Sequence, residues 1–395
     1  MALGGLFWYK KRTSKRFRTL QERKLSLNSG TAKSRPQTQN QVIANMGKPT
    51  QITIPSLVRI KPGCVDRVGI YLKRFKHLKV ASLYSEGMVP DLVQRLRRSL
   101  AQHGVEDVAS RSVGQATFEE ACEIFSDLWG SCDAIVGFGG GQALDTAKYV
   151  AFLSNRPYYA MPTALSNDGF ASPGVSLLLS GRKRSLGSVM PFAVVVDTEV
   201  CRDAPDSLWW SGVGDLVAKA TAIFDWKLAF HTVGTPVNDF AALLSDATVH
   251  QFMAAPERTL DGTRLLATAL MLNGVAMEIC GSSRPASGSE HLISHALDLV
   301  SSRPRLHGLQ VGLATYIVSR LQGRSTERIA SVLDATGFWK GIHEDPFGRA
   351  EWLEAVRLAP TMKQDYYTIL SHRDCEPEVA KIIDEDPRLQ DAFVS

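Results

Sequence analysis

Apolar residues recur with two different rhythms along this chain. Between Gln51 and about Cys201, short β-branched and aromatic runs at Val80–Tyr84, Ala134–Gly137, Tyr158–Met161 and Ala193–Val196 alternate with helix-period segments at Val89–His103, Phe118–Leu128 and Ala143–Leu153. That alternation predicts repeated βα units around a parallel sheet. Ser172–Leu179 and Ser185–Val189, joined by the basic turn Ser180–Arg184, read as an inserted hairpin. From Asp206 onward the strand signal fades. Helical period takes over at Leu216–Ala229, Phe240–Phe252, Thr263–Met277, Glu290–Leu299, Val311–Leu321 and Ala350–Leu358, punctuated at Gly234–Pro236, Ala255–Pro256, Gly281–Pro285 and Ser301–Pro304. A boundary between an α/β region and a helical region is therefore expected near residues 203–206.

The chain has 395 residues, 44% hydrophobic and 22% charged, enough for two ordinary cores. Its formal charge of +5 conceals an asymmetry: residues 1–45 carry ten Lys or Arg against the single acid Glu22, which leaves the body at −4. A mildly acidic body removes the compositional case for nucleic-acid binding. The tail reads as disordered, and three origins compete for it: an upstream extension before a natural start at Met46, an organelle-targeting arm, or a contact for anionic surfaces. Ala2–Tyr9 is too short for a signal-peptide core or a membrane span, and no other window is uninterruptedly apolar over a span's length. A cytoplasmic protein without integral membrane association is expected. Six scattered cysteines without a C-x-x-C pair argue against disulfides and thiolate zinc sites.

Chemistry concentrates in four stretches. Three of the nine histidines, His291, His295 and His307, fall within positions 291–307, and the first two share a helical face by their spacing of four. Ala134-Ile-Val-Gly-Phe-Gly139-Gly140-Gly141 runs from a strand through glycines into a helix, a shape that lets backbone N–H groups approach a diphosphate. The third glycine of a G-x-G-x-x-G fingerprint would fall on Gln142, so the loop reads equally as a tight βα turn. Thr163, Ser166, Asp168 and Ser172 follow the next strand, where α/β sheets place ligands, although an Asp/Ser turn has the same composition. Asp215, after Gly212-Val-Gly214, reads as a helix cap when taken alone. Taken with His291 and His307 it completes an open N/O set for a divalent ion.

In this order the blocks resemble the glycerol-1-phosphate dehydrogenase branch of the iron-containing alcohol dehydrogenase and dehydroquinate synthase-like superfamily. The residues that carry the resemblance are Gly139–Asp145, Pro162–Pro173, Asp197-Thr-Glu199, Gly212–Lys219, Gly281–His295 and Leu306-His307-Gly308, within a span of roughly 50–322. The resemblance implies an N-terminal Rossmann-like α/β domain over 46–205 that binds nucleotide. An all-α domain over 206–395 would bind metal and substrate, the dehydroquinate synthase-like fold. It implies NAD or NADP contacts at Gly139, Gly140, Gly141, Gln142, Ala143, Leu144, Asp145, Thr163, Ser166 and Ser172. Asp215, His291 and His307 would hold one divalent metal, zinc first, with nickel or iron as alternatives. Asp168, Asp215 and His295 would meet substrate, Asp168 and His295 acting in catalysis. Arg284 is the first choice for a substrate phosphate, ahead of Lys183, Arg184 and Lys219. The implied reaction is reversible reduction of dihydroxyacetone phosphate to sn-glycerol 1-phosphate by a homo-oligomer. A related dehydrogenase or dehydroquinate synthase-like lyase acting on another phosphorylated or cyclic polyol, and a non-catalytic ligand-binding homologue, are the alternatives.

Overall fold

The computed structural model describes residues 51–128 and 130–394, so the basic tail and the start proposed at Met46 lie outside the described residues. Eight strands come first in the chain: β1 (Leu57–Lys61), β2 (Lys79–Ser85), β3 (Glu106–Val113), β4 (Ala134–Gly139), β5 (Tyr158–Pro162), β6 (Gly174–Leu179), β7 (Arg182–Gly187) and β8 (Ala193–Asp197). Six of them form one parallel sheet in the order β1-β8-β5-β4-β2-β3. The helices α1 (Val68–Arg74), α2 (Pro90–Gln102), α3 (Phe118–Leu128) and α4 (Gly141–Ser154) connect them. Neighbouring residues of β4 face opposite cores: Ile135 packs with Ile124 and Val150, while Val136 packs with Leu72 and Leu100. Covering both faces explains why the central strands are apolar throughout.

Two strands escaped the hydrophobic pattern. β3 reads Glu-Asp-Val-Ala-Ser-Arg-Ser-Val and is half-exposed along most of its length, as a sheet edge allows. β1, at the other edge, spans only five residues. The hairpin is tighter than expected. Its turn is Ser180-Gly181, both at positive φ (52° and 74°), so Arg182, Lys183 and Arg184 belong to β7 rather than to the turn.

After β8, every regular element from Thr198 to Glu344 is helical. In order they include α5 (Thr198–Arg202), α6 (Asp206–Val217), α7 (Lys219–Val233), α8 (Asp239–Met253), α9 (Leu260–Cys280), α10 (Ser289–Val300) and α11 (His307–Gln322). The helix expected over Leu216–Ala229 is two helices meeting at Ala218. Among the described residues α9 alone is long and apolar enough to cross a membrane by length and composition. Leu266, Ala267 and Leu270 are wholly buried in the largest core, which marks α9 as a core helix here. That core also takes in Val194 and Val196 of β8 and Leu144 of α4, and from Ile52 onward the chain forms one compact unit.

Candidate functional site

Strand order places the first half of the site. From β2 the chain moves outward to β3, and the next crossover returns past β2 to β4, so the carboxyl ends of β2 and β4 flank a point where the winding reverses. Such points open a crevice in doubly wound sheets. Gly139 ends β4 at φ 147°, and a Cβ there would lie 2.3 Å from Ser85 Oγ at the end of β2. Only glycine fits that conformation and approach. The next residue, Gly140, donates its N–H to Ser85 Oγ at 2.9 Å. α4 then begins at Gly141 without a side-chain cap, and Gly141 and Gln142 are exposed, presenting a helix N-terminus suited to a phosphate group.

The remaining expected cofactor residues divide by direction. Ala143 and Leu144 turn into the core, leaving only their backbone toward the loop. Asp145 accepts the N–H of Ser176 at 3.0 Å and so ties the hairpin to α4. Thr163 and Ser166 are half-buried on the segment after β5. Ser172 is buried, with its hydroxyl 3.1 Å from the carbonyl oxygens of both Gly169 and Gly174. Lys148 on α4 is wholly buried and donates to the carbonyls of Gly169, Ser172 and Gly174, fastening this loop from below. Burial pushes the Lys148 amine down to about 8. Neither Ser85 nor Lys148 stood out in the sequence, because each acts on a segment distant from it.

The second half is built by close helix packing. A Cβ at Gly214 on α6 would lie 2.0 Å from Gly308 O, and one at Gly308 on α11 would lie 1.8 Å from Ser211 O. These two glycines let α6 and α11 touch backbone to backbone. Asp215 therefore comes beside His307, the first residue of α11. Asp215 is not a helix-start cap: α6 begins at Asp206, and Asp215 lies near its end, buried to 1% exposure. α10 supplies His291, whose Nε2 is 3.3 Å from Asp215 Oδ1, while Nε2 of His307 is 3.9 Å from the same oxygen. One donor atom from each of the three residues lies within 4.8 Å of the others.

Neighbouring groups aim these donors. Nδ1 of His291 is 3.0 Å from Glu290 Oε1, and Nδ1 of His307 is 3.2 Å from Ser294 Oγ. Gln310, wholly buried, bonds Ser294 Oγ at 2.9 Å and Asp298 Oδ1 at 3.2 Å, setting α11 against α10. With Nδ1–H given to Glu290, the lone pair of His291 Nε2 faces a carboxylate oxygen. A cation between them satisfies both, and orienting carboxylates behind metal-bound imidazoles are a recurrent arrangement. The donor set thus fits one divalent ion held by Asp215, His291 and His307.

Lys219, at the start of α7 and fully buried, sits 3.0 Å from Asp168 Oδ2 and 3.1 Å from Asp215 Oδ2. Burial works to lower its amine, yet the two carboxylates raise it above the ordinary lysine range. Burial likewise opposes charge on Asp215, but Lys219 and the imidazoles hold that carboxyl well below the usual range. Asp168 is raised by burial and by Asp215 beside it. Burial pushes His307 down to about 4, with His291 adding to the effect. His295 stands one turn beyond His291 with its ring centroid 6.2 Å from that of His307, and burial drives it well below the usual imidazole value.

One segment joins the two halves. Thr163 N–H bonds Gly139 O at 3.0 Å, and Asp168 N–H bonds Asp215 Oδ2 at 3.0 Å. The expected phosphate cations fare differently. Arg284 is only 4% exposed, donates to the backbone oxygens of Tyr367 at 2.6 Å and Asp365 at 3.3 Å, and stacks on Tyr366. It is spent on holding a loop rather than free to clamp a phosphate. Lys219 is enclosed between two carboxylates, and Lys183 pairs with Asp298 at 3.2 Å. Lys363 and Tyr366, from a stretch read as a generic helical tail, come instead to this side of the molecule.

A model of the iron-containing alcohol dehydrogenase family matches residues 59–205. The chain is 33% identical to the NAD(P)+ glycerol-1-phosphate dehydrogenase of Aeropyrum pernix, over 84% of this chain and 96% of that one. It is 37% identical to the enzyme of the same name from Thermococcus kodakarensis, over 63% of this chain and 73% of that one. In structure it is similar to glycerol dehydrogenase from Schizosaccharomyces pombe, with a TM-score of 0.67 and 18% identity over 87% of this chain and 91% of the other. The structural likeness speaks for the fold. The sequence likeness across nearly the whole length of the Aeropyrum enzyme goes further, and the chain belongs to the glycerol-1-phosphate dehydrogenase family of the iron-containing alcohol dehydrogenases.

Proposed function

We propose that this protein is a cytoplasmic, metal-dependent oxidoreductase that uses NADH or NADPH to reduce dihydroxyacetone phosphate reversibly to sn-glycerol 1-phosphate. One observation carries the reading: Asp215, His291 and His307 converge beside the Asp168 loop, and that loop starts at the glycine-lined crevice. The α/β region before about 205 would take the dinucleotide, and the helical region after it the metal and substrate.

Gly140, Gly141 and Gln142 would bind the cofactor diphosphate through backbone N–H groups, with Thr163 and Ser166 lining the path toward the helical side. When bound, a divalent ion, zinc first, supplies Lewis-acid polarisation of a ketone, and the dihydronicotinamide supplies hydride. Asp168 accepts a hydrogen bond from a substrate hydroxyl, its second oxygen held by Lys219. This orients the three-carbon chain. His295 offers a ring nitrogen for moving the proton that accompanies alcohol formation or oxidation.

The test uses the full chain, stripped with a chelator and reloaded with zinc, nickel or ferrous iron in turn. Stoichiometric consumption of NADH or NADPH on adding dihydroxyacetone phosphate, with the sn-1 enantiomer as product, is the expected result. A protein that binds the ion tightly yet leaves the reduced cofactor unconsumed overturns the proposal.

A further inference from the structure

Two cations lie on the helical side with no carboxylate at ion-pair distance among the described residues, Glu290 and Asp225 acting on Lys363 and Arg284 only from farther off. Lys363 Nζ is 3.0 Å from Ser283 Oγ and 4.6 Å from the centre of the Tyr366 ring, while the Arg284 guanidinium lies 3.8 Å from the same centre. Neither forms an ion pair among the described residues. Two like charges around one aromatic ring, one buried and one half-buried, cost stability unless an anion joins them. Arg284 is buried with its outer nitrogens committed to backbone oxygens. Lys363 is half-buried, and among the described residues the hydrogen-bond partner of its amine is a neutral hydroxyl.

The surroundings form a built cradle. Tyr366 Oη donates to Ser287 O at 2.7 Å and lies 3.2 Å from Ser283 Oγ, so the ring links the Lys363 segment to the turn that leads into α10. Asp365 adopts a left-handed conformation at φ 55°, and Arg284 holds its carbonyl. Asp225, wholly buried, accepts the N–H groups of Ser289 at 2.7 Å and Ile369 at 2.9 Å and locks the far end of the same segment to the start of α10. The cradle is therefore registered against the helix that carries His291 and His295. The charge of Lys363 reaches His295, where it adds to the effects of burial and His307 in keeping the imidazole neutral.

We propose that Lys363 and the Ser283 hydroxyl form the subsite for the phosphate group of the substrate, with Arg284 as a buried support that shapes the loop and adds positive potential. The inference rests on the proposed reaction, since it names the residues that would select a phosphorylated ketone over its unphosphorylated counterpart. A phosphate oxygen accepting from an ammonium and a hydroxyl makes charge-assisted hydrogen bonds, the strong kind.

Two measurements test it. First, the wild-type, metal-free full chain is acetylated in the presence of inorganic phosphate, sn-glycerol 1-phosphate or glycerol, and modification at position 363 is read by peptide mass spectrometry. Protection by the two phosphates and not by glycerol is expected, and modification that ignores phosphate overturns the subsite. Second, Lys363→Met should lower the ratio of kcat/KM for dihydroxyacetone phosphate to that for dihydroxyacetone by roughly 10- to 100-fold, the size of a lost charge-assisted hydrogen bond. Lys363→Arg should restore part of the ratio, and the Michaelis constant for NADH should stay at its wild-type value. An unchanged ratio in the folded Met variant refutes the subsite. If that variant does not fold, the acetylation result decides. A wild-type enzyme that leaves dihydroxyacetone phosphate untouched while phosphate protects Lys363 would overturn the reaction assignment and leave the anion subsite standing.

Discussion

At the sheet end of the site the groups offered to a ligand are backbone N–H groups of a helix start, placed by Gly139 and Ser85. On the helical side the reverse holds. There the Asp215 carboxylate is buried between the Lys219 ammonium at 3.1 Å, which offsets its charge, and the His291 ring at 3.3 Å. The two ends face different physical problems. A dinucleotide diphosphate needs close approach and a positive helix end, which a residue without a Cβ provides. A cation needs concentrated negative and lone-pair donors, which must be kept from collapsing on one another by fixed neighbours.

The largest expected effect breaks the helical side alone. Asp215→Asn removes the charge that two imidazoles and Lys219 surround, and should lower turnover by at least about 10²-fold together with the metal content measured by elemental analysis. The Michaelis constant for NADH should hardly change. Wild-type turnover with metal lost would end the idea that this cluster works through an ion. Gly139→Ala attacks the other end: its Cβ would meet Ser85 Oγ at 2.3 Å in a left-handed backbone. Strain of about 1–3 kcal/mol should raise the Michaelis constant for NADH by roughly 10- to 100-fold and leave metal content intact. If metal content falls and the Michaelis constant for NADH rises together in either variant, the two ends are not separable.

Smaller effects sharpen the contrast. Glu290→Gln keeps the shape behind His291 but weakens the orienting hydrogen bond, so metal affinity should drop about tenfold in a chelator competition, with cofactor binding unaltered. An unchanged affinity would make Glu290 a packing residue only. The smallest effect is a pH dependence. Burial first, and Arg284 second, push the Lys363 amine down to about 8, while Glu290 opposes them. Tyr366 and His295 are the other titratable groups near it. An amine with a depressed value carries its charge at lower pH and loses it as pH rises through 8. The Michaelis constant for dihydroxyacetone phosphate should therefore be flat below neutrality and roughly doubled when pH reaches the amine's value. Lys363→Arg should flatten that rise, and a rise that persists in the Arg variant would assign it to another group.

Much of this arrangement was legible in one dimension because its cause is local. The central strands announced themselves by continuous apolar runs, α4 by its glycines and period, and the shared face of His291 and His295 by a spacing of four. The edge strand β3 did not, since a half-exposed strand can be polar. Asp215 was singled out as a candidate ligand only through the family resemblance, whereas its local context read as a helix cap. That local reading missed because a glycine contact between α6 and α11 leaves no mark in either segment's hydrophobic period.

The amino-acid order alone determined which segments are strands and helices, where glycine permits a phosphate-sized approach, and which residue types are available for ion binding. Tertiary structure alone decided which cations remain free. Arg284 looks like a phosphate ligand by type, yet folding turns it onto carbonyls; Lys363 looks like tail, yet folding sets it beside Ser283 with no ion pair among the described residues. The reason is electrostatic: whether a charge is available depends on what lies within a few ångströms of it, and for these residues those neighbours are some 80 positions away along the chain.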